Sequence, residues 1–347
     1  MSPDAPPALL EVEGVAKHFD IRASGRGQGG LLRAVDGVSL RVEAGRTLGI
    51  VGESGCGKST LARLIVGLMR PTAGSVRIRG GDIWEPGVAG RERRRSLQMV
   101  FQNPSGSMNP RLSVGTSVAE PLWARGVRRT EDDVARMLDL VGLQPAMAQR
   151  MPHQLSGGQQ QRASIARALI AEPALVVHDE AVASLDISLQ AQILNLLMEL
   201  QDRLGTAYIF ISHDLAAVQA ISHRVAVMYL GEVVEAASAA EFVHRPLHPY
   251  AVALRRAALL PDPVLERSRP DIVLGGDVPS PLHPPSGCRF RTRCPIAVAL
   301  CAEEKPALGD VGGGHLVACH TPGQSDLLAQ AALHGVGYQP GMTEPPC

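Results

Sequence analysis

The chain has 347 residues, with 34 Lys and Arg balancing 34 Asp and Glu and a hydrophobic fraction of 45%. Zero formal charge removes the electrostatic case for nucleic acid or an anionic membrane surface, and 3% aromatic residues leave little to stack on bases. The length suits about two domains with packed cores. No stretch approaches the roughly 18 uncharged apolar residues that a membrane span needs. Met1 to Ala8 is proline-rich and has neither the basic start nor the apolar centre of a signal peptide. The expectation is a cytosolic chain that reaches a membrane only through a partner.

Residues 9 to 22 and 33 to 51 hold short apolar runs broken by Gly and charge, which predict strands, with a flexible Gly-rich loop at Ala23 to Gly30 between them. Thr47 to Val51 predicts a strand ending at a glycine loop. Leu61, Ile65 and Leu68 follow at helical spacing within Thr60 to Met69. The basic run Arg91 to Arg95 reads as a solvated face, with an acidic partner or a phosphate as the alternative. Residues 110 to 170 read as mostly helical, most clearly Glu131 to Val141 and Gly158 to Ala171. Ala174 to Val177 predicts a buried strand, Thr206 to Ile211 and Val225 to Leu230 further strands, and Ile187 to Arg203 a long amphipathic helix. Strands alternating with helices predict a largely parallel sheet covered by helices. Composition shifts after about residue 255, where proline becomes dense and four of the six cysteines fall between 288 and 319.

Gly52-Glu53-Ser54-Gly55-Cys56-Gly57-Lys58-Ser59, followed by Thr60, matches G-x-x-x-x-G-K-[ST] at every fixed position. Glycines let successive backbone N–H groups converge on phosphate oxygens at the positive end of the next helix. Lys58 supplies a point charge and Ser59 a hydroxyl for Mg²⁺. At Ala174 to Glu180 an apolar strand ends in two acids, Asp179 and Glu180. Asp179 can hold Mg²⁺ through water, and a neighbouring carboxylate can polarise an attacking water held in line.

This loop with Leu155-Ser156-Gly157-Gly158-Gln159 downstream resembles the ATP-binding-cassette (ABC) ATPases. The resemblance implies ATP and Mg²⁺ as cofactors and a site shared between two subunits. Ser156, Gly157, Gly158, Gln159 and Asp186 would then serve the nucleotide of the opposite subunit. It also implies Glu180 as general base, His213 as γ-phosphate sensor, and Gln102 as a contact to Mg²⁺ or the attacking water that reports nucleotide state to a docked partner. Phe19 would stack on adenine, with a core phenylalanine or a role for His18 as the alternative. Ser59, Gln102 and Asp179 form the Mg²⁺ set. Two departures stand out: Ala181 where related importers usually carry proline, and Ala183-Ser184 in exchanged order. Both acids are intact, so these departures do not imply inactivity; they bear on the geometry that couples the two sites.

Cys288, Cys294, Cys301 and Cys319 are spaced Cys-x5-Cys-x6-Cys-x17-Cys. Four thiolates suit a tetrahedral metal or an iron–sulfur cluster, and a reducing cytosol disfavours disulfides. The spacing leaves the metal open. His248-Pro249-Tyr250, Gly276 to Pro281, Pro284 to Phe290 and Arg293-Cys294-Pro295 resemble the C-terminal region of oligopeptide/dipeptide importer ATPases, as do Ser107 to Arg111, Glu120 to Leu122 and Ser188 to Leu194. In that subfamily the cysteines can carry a 4Fe-4S cluster; structural thiols and zinc are the alternatives.

The expected fold is α/β: a P-loop NTPase nucleotide-binding domain of ABC type, mixed sheet plus helical subdomain, with a small Cys-rich C-terminal extension. The expected division is an ATPase domain over 9–255 with its helical part at about 103–165, the extension over 256–322, and a tail over 323–347. The implied protein is an ATPase subunit at the cytoplasmic face of the membrane. Its partners would be a second ATPase subunit, two transmembrane permease subunits and an extracytoplasmic solute-binding protein. An importer for nickel or another small solute is an alternative, as is an ATPase of iron–sulfur cluster assembly. The latter lacks the proline–cysteine extension. Translation-type members carry two cassettes and repair-type members a long coiled-coil insertion, neither of which is present.

Overall fold

A computed structural model describes residues 8–22, 29–127, 130–183, 185–257 and 275–324. The chain divides into two compact units, each assembled from several stretches: residues 1–17, 37–51 and 58–223, and residues 18–36, 52–57 and 224–347. Residues 23–28 of the loop expected at 23–30, Ser184, Cys347 and nearly all of the expected tail lie outside the described residues.

The first unit is built on four parallel strands, in sheet order β3 (Thr47–Val51), β8 (Ala207–Ile211), β7 (Leu175–Asp179) and β6 (Leu97–Val100). The strands β3, β7 and β8 are buried at every position. Continuous apolar runs of this kind mark parallel strands covered on both faces. A second, antiparallel set pairs β1 (Ala8–Ile21) with β4 (Ala73–Ile78), and β4 with β5 (Gly81–Asp82). The strand β2 (Gly30–Glu43) completes the early β region. The helix α1 (Lys58–Ile65) buries Leu61 and Ile65. It stops there, and Leu68 is 63% exposed instead of continuing the stripe that its spacing predicts. The helix α2 (Val88–Arg95) carries the basic run. Its arginines are tied locally: Arg93 to Glu85, Arg94 to the Ile83 carbonyl, Arg95 to Glu92.

The helical part comprises α3 (Pro104–Ser107), α4 (Val114–Ala124), α5 (Glu131–Leu140) and α6 (Gly157–Leu169). The start of α5 is set by a capping box between Thr130 and Asp133, and that of α6 by one between Ser156 and Gln159. The helix α7 (Ile187–Leu204) starts at the Asp186 cap and ends at Gly205, whose φ of 67° is the left-handed conformation that closes helices. Ile193, Leu196, Leu197 and Leu200 form its buried stripe. The helix α8 (Leu215–Ile221) follows, capped by Asp214. Gly49 in β3 brings α8 close, because a Cβ there would lie 2.4 Å from Val218 Cγ1.

In the second unit, β9 (Arg224–Tyr229) and β10 (Glu232–Ser238) form a hairpin. Leu230 and Gly231 turn it with φ of 44° and 82°, the positive values that match the twist of paired strands. The helices α9 (Ala239–His244) and α10 (Pro249–Ala257) follow. Residues on both sides of the compositional break near 255 belong to this unit. The short strand β11 (Gly309–Asp310) pairs with β12 (Leu316–Val317), and β12 with β10. Tyr229, Tyr250 and Phe290 form an aromatic core with ring centroids 4.7 to 5.5 Å apart. Glu235, fully buried, accepts the amides of Leu247 and His248 and pairs with His315 at 2.8 Å.

His248 is 1% exposed, and its Nδ1 accepts the Tyr250 amide at 3.1 Å. Burial holds its pKa down to about 3. The unfolded imidazole takes a proton below about pH 6.5 while the folded one stays neutral, so stability falls as pH drops through the window from about 6.5 to 3. Between pH 7 and 4.5 this group alone is expected to remove about 2 to 3 kcal/mol. Urea titrations at the two pH values should show a smaller loss in His248→Gln than in the native chain.

Candidate active site

The glycine loop follows β3 directly. In the second unit, Gly57 has φ of 108°, and a Cβ there would meet the Ala34 carbonyl oxygen at 2.1 Å. A Cβ at Gly52 would meet the Met228 carbonyl oxygen at 2.2 Å. These positions admit only glycine, so the loop is held tightly on its outer side. The Cys56 carbonyl accepts the Gly231 amide at 2.8 Å, and the Glu53 amide donates to Tyr250 Oη at 2.8 Å. Ser54 and Gly55 are exposed, as a loop that receives a ligand must be. Phe19 is half-buried in β1, and its neighbour His18 bonds Asp36 through Nε2 at 2.9 Å.

In the first unit, α1 opens with Lys58, 5% exposed, then Ser59 and half-buried Thr60. Ser59 Oγ donates to Asp179 Oδ1 at 3.1 Å. Asp179 ends β7, and burial raises its pKa against the pull of the Ser59 hydrogen bond. Ser59, Asp179 and the amide oxygen of Gln102 are oxygen donors, the set that Mg²⁺ prefers. Glu180 is the next residue. Its φ of 50° is left-handed, a conformation that costs a non-glycine residue about 1 kcal/mol or more and tends to occur at functional sites. Its amide donates to the Ile211 carbonyl at the end of β8 at 2.9 Å. Its carboxylate accepts Gln102 Nε2 at 2.8 Å and lies 3.8 Å from Nδ1 of exposed His213. Parallel strand ends thus bring Asp179, Glu180, Gln102 and His213 together, where open α/β sheets bind ligands. The spacing of the motifs places Gln102 in the site. It does not reveal that Gln102 holds Glu180.

Ala181 and Val182 are buried, at 1% each, and turns from Ala183 N to Glu180 O and Leu185 N to Val182 O carry the loop without proline. Ser156 and Gly157 are exposed at the start of α6, and Gly158 is buried with Leu189 against it. Asp186 caps α7 through the Leu189 amide at 2.9 Å, which holds its carboxyl below the ordinary range.

The four extension cysteines are free thiols. Burial pushes Cys288 up to about 11 and Cys294 up to about 12. The Cys288 amide donates to the Cys301 carbonyl at 2.8 Å. His315 is committed to Glu235, and His320 Nε2 lies 3.0 Å from the Glu304 carbonyl. Among the described residues, no three His, Cys, Asp or Glu side chains converge to hold a metal ion. The residues as placed therefore do not form a ligand set for zinc or for a cluster.

A cleft of about 570 Å³ also lies in the first unit, lined by Leu68, Met99, Phe101, Pro121, Arg94 and Arg167 among others.

A glycine loop opening a helix, an acid pair at a parallel strand end and a capped Ser-Gly-Gly-Gln helix define a P-loop ATPase of the cassette type. The chain matches the family of ABC transporters over residues 35–183 and the oligopeptide/dipeptide transporter C-terminal region over residues 234–301. It is 49% identical to a probable peptide ABC transporter ATP-binding protein, y4tS, of Sinorhizobium fredii, over 97% of this chain and 98% of that one. It is also 49% identical to the oligopeptide transport ATP-binding protein OppF of Salmonella typhimurium, over 90% of this chain and 95% of that one. A solved dimeric ATP-binding cassette, MJ0796 in a post-hydrolysis state with ADP and phosphate, superposes with a TM-score of 0.58 at 29% identity, over 66% of this chain and 98% of that one. The chain belongs to the oligopeptide/dipeptide transporter family of ABC ATP-binding proteins.

Proposed function

We propose that this chain is the ATP-hydrolysing motor of an importer for oligopeptides or dipeptides. The observation that carries the hydrolytic role is the strained Glu180 with its carboxylate held by Gln102 beside His213. Backbone amides of Gly52 to Gly57 and Lys58 bind the triphosphate, and Phe19 stacks on adenine. Ser59 and Asp179, with Gln102 nearby, would hold Mg²⁺, which would supply positive charge against the developing charge of the phosphates. Glu180 takes a proton from the water that attacks the γ-phosphorus as the bond to the ADP oxygen breaks. His213 donates to the γ-phosphate, where charge builds in the transition state. Ser156, Gly157, Gly158, Gln159 and Asp186 complete the site of a second ATPase subunit, and the exposure of Ser156, Gly157 and Asp186 suits a group from outside the chain.

Among the described residues no helix is long and apolar enough to cross a membrane, and the family's ATPases serve membrane transporters. We place this chain at the cytoplasmic face, with two permease subunits and a solute-binding protein as partners. A short permease helix is the proposed occupant of the cleft beside Phe101, because Gln102 follows and links that surface to Glu180. We assign 9–255 to the ATPase domain, about 103–165 to its helical part, 256–322 to the extension and 323–347 to a tail. The relatives' names support peptides over nickel, another solute or cluster assembly. The resemblance of the C-terminal region is what remains in favour of a 4Fe-4S cluster on Cys288, Cys294, Cys301 and Cys319, and no step above runs through it.

The test is reconstitution of the chain with its permeases and binding protein in vesicles. ATP-driven uptake of a labelled peptide is expected, and Lys58→Ala should abolish both nucleotide binding and uptake. Peptide uptake that persists with Lys58→Ala would sink the reading.

A further inference from the structure

Glu53, the second residue of the phosphate loop, is held at both its backbone and its side chain by residues far along the chain. Its amide donates to Tyr250 Oη at 2.8 Å. Its carboxylate receives Arg293 in a two-point grip, Nη1 to Oε2 at 2.8 Å and Nη2 to Oε1 at 3.0 Å. This is not a loose surface pair: the Arg293 side chain is only 8% exposed and that of Glu53 27%. Planar two-point pairing fixes orientation as well as distance, which a lysine cannot reproduce. Arg293 is itself anchored, its amide donating to the Phe290 carbonyl at 2.9 Å, and Phe290 packs edge-on against Tyr229.

A second arginine of the extension works alongside it. Arg289, 7% exposed, pairs with Asp36, with the Leu230 carbonyl and with Glu232. Asp36 in turn holds His18, the neighbour of Phe19. Two arginines bracketed by Cys288 and Cys294 therefore grip the phosphate loop and the segment beside the proposed adenine residue.

We propose that the C-terminal extension is part of the nucleotide site, with Arg293 as the positioning residue that preorganises the phosphate loop through Glu53. This rests on reading Gly52 to Thr60 as the ATP cradle. Binding needs the loop amides aimed inward. A loop freed of Arg293 must be ordered by the ligand itself, which lowers affinity without changing the chemical step.

The test is titration of a fluorescent ATP analogue, with steady-state kinetics, on Arg293→Ala, Arg293→Lys, Glu53→Gln and the double variant. Arg293→Ala is expected to raise Kd and KM for ATP about tenfold with kcat changed less than about twofold. Arg293→Lys should recover less than half of the loss on a logarithmic scale. Glu53→Gln, which leaves the extension untouched, should match Arg293→Ala, and the double variant should be no worse than either single one. Native Kd in Glu53→Gln, additive effects in the double variant, or a lowered melting temperature with unchanged Kd would each overturn the proposal. Lys58→Ala run in parallel keeps the two readings apart: normal ATP binding in that variant removes the cradle itself, whereas its loss with native affinity in the Arg293 variants removes only the positioning role.

Discussion

Glu180→Gln is expected to slow ATP turnover by about a thousandfold and to trap an ATP-bound dimer. The substitution keeps the shape of the side chain and an oxygen for Gln102 Nε2, which lies 2.8 Å from Glu180 Oε2. It removes only the capacity to take a proton. The backbone bond from the Glu180 amide to Ile211 O at 2.9 Å does not depend on the side chain, so the left-handed turn should survive. Phosphate release measures the first effect, and size-exclusion chromatography with and without ATP the second. Turnover within about threefold of native would show that another group activates the water.

Gly57→Ala is expected to destabilise the second unit by about 3 kcal/mol and to abolish nucleotide binding. With φ of 108°, the new Cβ would sit 2.1 Å from the Ala34 carbonyl oxygen, and backbone cannot swing aside as a flexible side chain can. Gly55→Ala is the matched control. Its φ of 80° carries the same kind of strain, but nothing lies within 4 Å of the added atom, so the cost should stay near 1 to 2 kcal/mol. Denaturant titration ranks the two variants. Equal losses would mean that the outer contacts of the loop do not constrain it.

The helical part of the first unit was legible because its signals are local. Glu131 to Val141 and Gly158 to Ala171 read as helices in the sequence itself, where the structure adds the Thr130–Asp133 and Ser156–Gln159 boxes, and the apolar runs at β3, β7 and β8 announce strands. Leu68 shows where periodicity misleads: its spacing continues the stripe of α1, but the helix stops at Ile65 and leaves it exposed. The cysteines mark another limit: their spacing leaves the metal open, and the described residues gather no metal-holding group.

By itself the sequence determined which residues are proposed for phosphate chemistry: glycines where the backbone must approach an anion, Lys58 and Ser59 behind them, and acids at a strand end. These patterns are short because each depends on neighbours a few residues apart. Only the tertiary structure decided that Gln102 holds Glu180 and that Arg293 and Tyr250 hold Glu53. Those pairs span 78, 240 and 197 positions, and nothing local in an arginine or a tyrosine says which distant carboxylate or amide it will meet. The packing of Tyr229, Tyr250 and Phe290 brings Tyr250 and Arg293 to the glycine loop, and that packing exists only once the chain is folded.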